Sequence, residues 1–183
     1  MVKTAAKADT SWIPAFREKY EAWFQEARSL IEAHEYQKAF KGYPFVKFEQ
    51  APWSPVRTPL SAGRLGVVTT AAIYRKGIDP PFVDTPGGDD RIIEIPPDVD
   101  ARTLDTAHTH IPQGPIQEDV NVALPIDHLR DFVRERRIGE LAPRMFSIVG
   151  YRIRADEVAT QTATAIAAAM AQDQVTHALI VPV

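Results

Sequence analysis

The chain has 183 residues, 45% of them apolar and 25% charged, which fits one folded domain with a core of its own rather than a disordered chain. A net charge of -3 and a pI near 6.0 provide no basic field for nucleic acid or anionic lipid, and no apolar run approaches the length of a membrane span. Cysteine is absent, which excludes disulfides, thiolate metal sites and thiol chemistry by these residues, and residues 1–11 lack the apolar core of a secretory signal, so the default compartment is the cytoplasm.

The first predicted element is a helix from Trp12 to about Phe40. Thr10 or Ser11 serves as its cap, and Pro14 suits its first turn. Ile13, Phe16, Tyr20, Trp23, Phe24, Ala27, Leu30 and Ile31 recur at three- and four-residue spacing and form one apolar stripe. Such a stripe lines a ligand cavity or, the commoner fate, docks on the domain or on a second subunit, which makes residues 1–41 a helical arm and leaves a homo-oligomer open. Residues 42–183 form the domain proper, beginning with an irregular, proline-rich stretch over 42–63. Arg64–Thr70 is a short β-branched run with the character of a buried strand, followed by a loop, AAIYRKGIDPPF, in which Arg75 and Lys76 are candidate anion contacts. DTPGGDDR reads as a tight turn. Arg91–Pro96 reads as a strand with Ile93 and Ile95 on one face and Ile92 and Glu94 on the other.

A second helix begins at Ile126 after Pro125, with Asp127 in its first turn, arginines in its last and Gly139 just beyond. The final forty residues read as strand Met145–Tyr151, helix Ala155–Ala171 and strand Val175–Val183. Both strands are continuously apolar, the pattern of strands covered on both faces. The expected fold is α/β: a parallel or mixed sheet with flanking helices, a C-terminal βαβ unit and the appended N-terminal helix. Ligands of such sheets bind beyond the carboxyl ends of the strands.

The densest polar cluster is LDTAHTHIPQGPIQEDVNVALP, residues 104–125. On an extended segment His108 and His110 project to one face, with Glu118, Asp119 and Asn121 following after a Pro/Gly turn. Three readings stay open. Two imidazoles and a carboxylate (His108, His110, Glu118) suit a divalent metal with open positions. Without metal, a histidine donates a proton while a carboxylate orients it or holds a substrate ammonium. In the third, the side chains merely satisfy a loop. No GxSxG motif supports a nucleophilic serine.

The segments PLSAGRLGVVTTAAIYRKGIDPPF, GDDRIIEIPPD, LDTAHTHI, EDVNVALPIDHLRDFVRERRIGELAPRMFSIVGY and VTHALIVPV, in this order and spacing, resemble the selenoprotein B-type subunits of the glycine, sarcosine, betaine and D-proline reductases over about residues 52–183. The resemblance implies a subunit that reductively cleaves a bond at the α-carbon of an amino acid or related amine. It also implies electrons from a selenol or thiol and a pyruvoyl-type or thiol-reductant partner. In that family a selenocysteine or cysteine follows closely after a final apolar strand like ALIVPV, where a helix N-terminus stabilises the chalcogen anion. This implies that the redox residue lies after Val183 and that the 183-residue chain is truncated before it. The alternative is a protein that has lost redox function and binds only. The resemblance places His108, His110 and Asp119 at the chemistry and Asn121 near the substrate. His128, where many relatives have arginine, and Met145, where histidine is common, weaken the transfer of a particular substrate.

Overall fold

The computed structural model describes residues 9–48 and 54–183. Most of the amino-terminal segment and part of the proline-rich stretch therefore lie outside the described residues.

The arm is two helices rather than one. α1 (Ile13–Glu32) buries Ile13, Phe16, Tyr20, Trp23, Ala27 and Ile31 of the predicted stripe, while Phe24 and Leu30 stay half-buried at its edge. It starts from Trp12 with no side-chain cap, so neither Thr10 nor Ser11 caps it. The chain then turns at His34, whose φ of 59° is left-handed, and re-enters α2 (Tyr36–Ala39). Nothing in the sequence marks this corner, because neither glycine nor proline occupies it. The aromatic stripe packs on Phe40, Tyr43, Tyr151 and Ile153, so its apolar face is spent within the chain. A second anchor is ionic: the buried Asp156 accepts hydrogen bonds from Arg17 of α1 at 2.6 Å and from Arg154 at 2.9 and 3.0 Å.

The main sheet is built around β1 (Arg64–Thr69). Along one side it pairs in parallel first with β5 (Glu140–Leu141) and then with β6 (Met145–Ser147); along the other it pairs in parallel with β7 (His177–Val181) through five residue pairs. β3 (Ile93–Ile95) adds antiparallel to β6, which makes the sheet mixed. The expected α/β fold is present, and the strand–helix–strand unit places β1 between its two strands. One face of the sheet carries the main core, where Val67, Ile95, Leu124, Ile126 and Met145 are fully or almost fully buried. α3 (Gly114–Glu118) sends Ile116 into that core, and α4 (Ile126–Arg134) sends Ile126 and Leu129. It ends at a left-handed Arg136 (φ 59°) rather than at Gly139. The other face packs Val68 and Phe146 on Ile166 and Met170 of α6 (Ala163–Gln172), which follows α5 (Ala155–Glu157) and a π-helical turn over Val158–Thr162. Gly66 is required here by space alone, since a Cβ would come within 2.9 Å of Met170.

Two local expectations are corrected. The segment after β1 is not all loop: β2 (Ile73–Arg75) pairs antiparallel with β4 (Leu104–Thr106) in a small second sheet. β7 is not covered on both faces. Among the described residues it has β1 as its single neighbour, and Ile180, on the α6 side, is 64% exposed because α6 does not reach over it.

Candidate functional site

The carboxyl ends of β1, β6 and β7 converge, as strand direction in a parallel sheet requires. Backbone bonds stitch them together: Thr70 N–H donates to Val181, Ala72 N–H to Ile148, and Gly150 N–H to Thr70, at 2.8–3.1 Å. Ala72 holds a left-handed φ of 53°, and Thr106 of β4 donates to the Ala71 carbonyl at 2.6 Å. These contacts bring the β4 exit, and with it the histidine segment, onto the ends of the main sheet.

His108 is 3% exposed and lies in this convergence. Burial, reinforced by the neighbouring His110, lowers its pKa below the usual histidine value, so the ring is predominantly neutral at pH 7. Its Nδ1 accepts from the His110 N–H at 3.3 Å, which leaves the proton on Nε2. Nε2 points toward Gly150, within 3.3 Å of where a Cβ would sit, and the Val183 carbonyl oxygen lies 3.0 Å from the same point. Val183 and His108 therefore both approach Gly150.

His110 faces a neighbouring recess. Its ring stacks on Tyr151 with centroids 3.9 Å apart and meets the edge of Tyr36 at 4.8 Å. Asp84 bonds His110 Nε2 at 3.2 Å and accepts from the Thr109 hydroxyl at 2.8 Å. Tyr36, Phe40, Thr109, His110, Ile111 and Tyr151 line an open recess of about 560 Å³. Burial first, then Tyr36 and Asp84, push the Tyr151 phenol up to about 12, so it stays neutral. Aromatic faces beside a carboxylate suit an organic cation, above all an alkylated ammonium, which aromatic rings attract through their quadrupoles.

The histidines do not lie on an extended strand. They sit in a turn after β4, yet their rings stay 6.0 Å apart. The remaining predicted residues lie elsewhere. Asp119 accepts from both the backbone and the side chain of Asn121, which hold its carboxyl below the usual range, and Asn121 also bonds Asp127. Lys76, Arg102, Glu118, Asp119, Asn121 and Asp127 border a second cleft of about 300 Å³, which shares no lining residue with the aromatic recess. Arg75 is engaged in a two-pronged bond with Asp79 at 2.7 Å. Among the described residues, no three or more His, Asp or Glu side chains gather as a metal-ligand set. Sequence reasoning missed Asp84, Tyr36, Tyr151 and Gly150. Asp84 falls in the DTPGGDDR turn and Tyr151 at the end of an apolar strand, while Tyr36 lies beyond the apolar stripe of the arm; only Asp84's proximity to glycines and the isolated Gly150 after an apolar run carry any signal.

Residues 31–182 match the family described as glycine/sarcosine/betaine reductase selenoprotein B. A curated relative, the D-proline reductase subunit gamma of Acetoanaerobium sticklandii, is 30% identical over 98 residues, which are 54% of this chain and 39% of that protein. The chain thus spans well under half of that relative's length. No solved structure matches significantly. Among the described residues, no helix is long and apolar enough to cross a membrane.

Proposed function

The chain belongs to the glycine/sarcosine/betaine reductase selenoprotein B family, and from that premise we propose that it forms part of a selenol- or thiol-dependent reductase acting at the α-carbon of an amino acid or related amine. The observation that carries this reading is the meeting of the Val183 carbonyl and His108 Nε2 over Gly150. A chalcogen residue following Val183 would enter the site beside a neutral imidazole and would supply the electrons. His108 presents an N–H to the substrate. His110, held by Asp84, delivers a proton to the departing group, the role a carboxylate-oriented histidine fills in acid catalysis. The aromatic recess takes the substrate's cationic nitrogen. A partner subunit that reduces or carries the substrate belongs to the proposal, in keeping with the relative's being named a subunit.

The first test is the nucleotide sequence after the Val183 codon. An in-frame UGA or cysteine codon followed by helix-coding sequence supports the proposal; a UAA codon ends it. The second is turnover by the extended chain, with its partner and a dithiol: amine release from glycine, sarcosine and betaine, or reductive ring opening of D-proline to 5-aminopentanoate. His110→Asn or Asp84→Asn should lower the rate by about 10²-fold or more. Equal turnover by the extended and the 183-residue chains would refute the proposal.

A further inference from the structure

The start of α1 and the extended segment that follows α2 enclose a small groove of about 190 Å³. One wall is Trp12, Ala15 and Phe16, and the other is Pro44, Phe45 and Val46; Lys19 and Lys47 complete the lining. The Trp12 indole is fixed by its hydrogen bond to the Asp9 carbonyl at 3.0 Å, and Phe48 meets it edge-on with centroids 6.2 Å apart. Phe45 and Phe48 are 68% and 64% exposed, although rings of this size ordinarily bury. The charges are as one-sided as the rings. Among the described residues no carboxylate lines the groove, on a chain whose net charge is -3. The arm's ion pairs among the described residues join Arg17 to Asp156, Arg28 to Glu32 and Lys38 to Glu35, so none of them neutralises Lys19 or Lys47. The α1 wall also precedes residues 31–182, which match the family, so half of the groove comes from a segment the family does not account for.

We infer that this groove is the docking site for an acidic segment of a partner protein, which inserts one aromatic or large aliphatic side chain between Trp12 and Phe45 and sets carboxylates against Lys19 and Lys47. Size decides against a small molecule. Ligand pockets run from about 300 to about 1,000 Å³, whereas this groove has room for about one anchoring side chain. Charge decides which kind of segment fits: two ammonium groups beside an apolar slot favour carboxylates flanking the anchor and repel a basic flank. The exposed rings of Phe45 and Phe48 supply the apolar contact that such an anchor needs once water is displaced. The groove shares no lining residue with the aromatic recess, so the inference stands apart from the reductase reading and can fail without it.

Three blocked peptides separate the contributions: acetyl-EELWEE-amide, its basic counterpart acetyl-KKLWKK-amide, and acetyl-EEGGEE-amide, which has the charge without the anchor. In titrations of the 183-residue chain followed by NMR, the first should shift the Trp12 indole N–H. It should leave in place that of Trp23, which is buried on the Ala39 carbonyl. It should bind at least about tenfold more tightly than either control. Raising NaCl from about 0.02 M to about 0.5 M should weaken it at least about fivefold. Replacing both lysines, Lys19→Glu with Lys47→Glu, should weaken it at least about tenfold. Both side chains are exposed, so the variant keeps its fold, which an unmoved Trp23 signal reports. The inference is overturned if the acidic peptide leaves Trp12 unmoved, if either control binds as well, or if the double variant binds the acidic peptide as before. A Trp12 shift that follows the chain's own concentration without peptide would assign the groove to a second copy and overturn it equally.

Discussion

Replacing Asp156 by asparagine tests whether the arm is fastened by charge as well as by packing. The carboxylate is fully buried and accepts three hydrogen bonds from two guanidinium groups. Arg154 chiefly, and Arg17 after burial's opposing effect, lower its pKa from 3.8 to about 2. A carboxyl held that far below its unfolded value stabilises the fold by about 2–3 kcal/mol. Arg17 is 55% exposed, and solvent screening on that side reduces the figure to about 2 kcal/mol. Because the folded value is the lower one, the stabilisation is complete above about pH 4 and is lost as pH falls through about 2. Asp156→Asn should therefore lower Tm at pH 7 by about 4–8 °C for a chain of this size. The difference should shrink towards zero near pH 2, where the native carboxyl is itself protonated. Thermal unfolding at the two pH values, followed by circular dichroism, measures both. An equal Tm at pH 7, or a difference that persists undiminished near pH 2, would refute the ionic anchor. Since α2 carries Tyr36 and Phe40 to the recess, the same variant should also bind tetramethylammonium more weakly.

Gly88→Ala should be strongly destabilising, by well over about 1 kcal/mol, because Gly88 is left-handed at φ 83° and its Cβ would fall 1.9 Å from the Tyr151 carbonyl oxygen; a lowered urea midpoint, together with a displaced Tyr151 resonance, checks it. Ile180→Lys should leave stability within about 0.5 kcal/mol, since the side chain is mostly exposed on an edge strand. It should also reduce concentration-dependent association through that edge, measured by light scattering.

The elements with a strong apolar period were legible before any coordinates: the stripe of α1, the facing of Ile93 and Ile95, the start of α4 and the β6–α6–β7 order all follow from side-chain spacing. What escaped was set by contacts between distant segments. The corner at His34 has no local signature, because its left-handed turn is held by bonds back to Leu30 and Ile31 and by the packing of Tyr36 on His110 and Tyr151. β2 is too short to announce itself and exists through its pairing with β4. The exposure of Ile180 contradicts the continuous apolar pattern of its strand, since the reach of α6, not composition, decides which face is covered. The histidine pair was found by residue type alone. Its carboxylate partner, Asp84, lies 26 residues before His110, and no spacing rule links them.

A strand with one neighbour has one way to open. Among the described residues β7 is joined to the rest of the sheet through β1 alone, so its amides can exchange with solvent by peeling from that seam while β1, flanked on both sides, stays closed. Amide protons of residues 177–181 should accordingly exchange sooner than those of Val67 and Val68. The seam that opens then ends close to His108, and whatever clamps the end of β7 to Thr70 would slow the exchange along it.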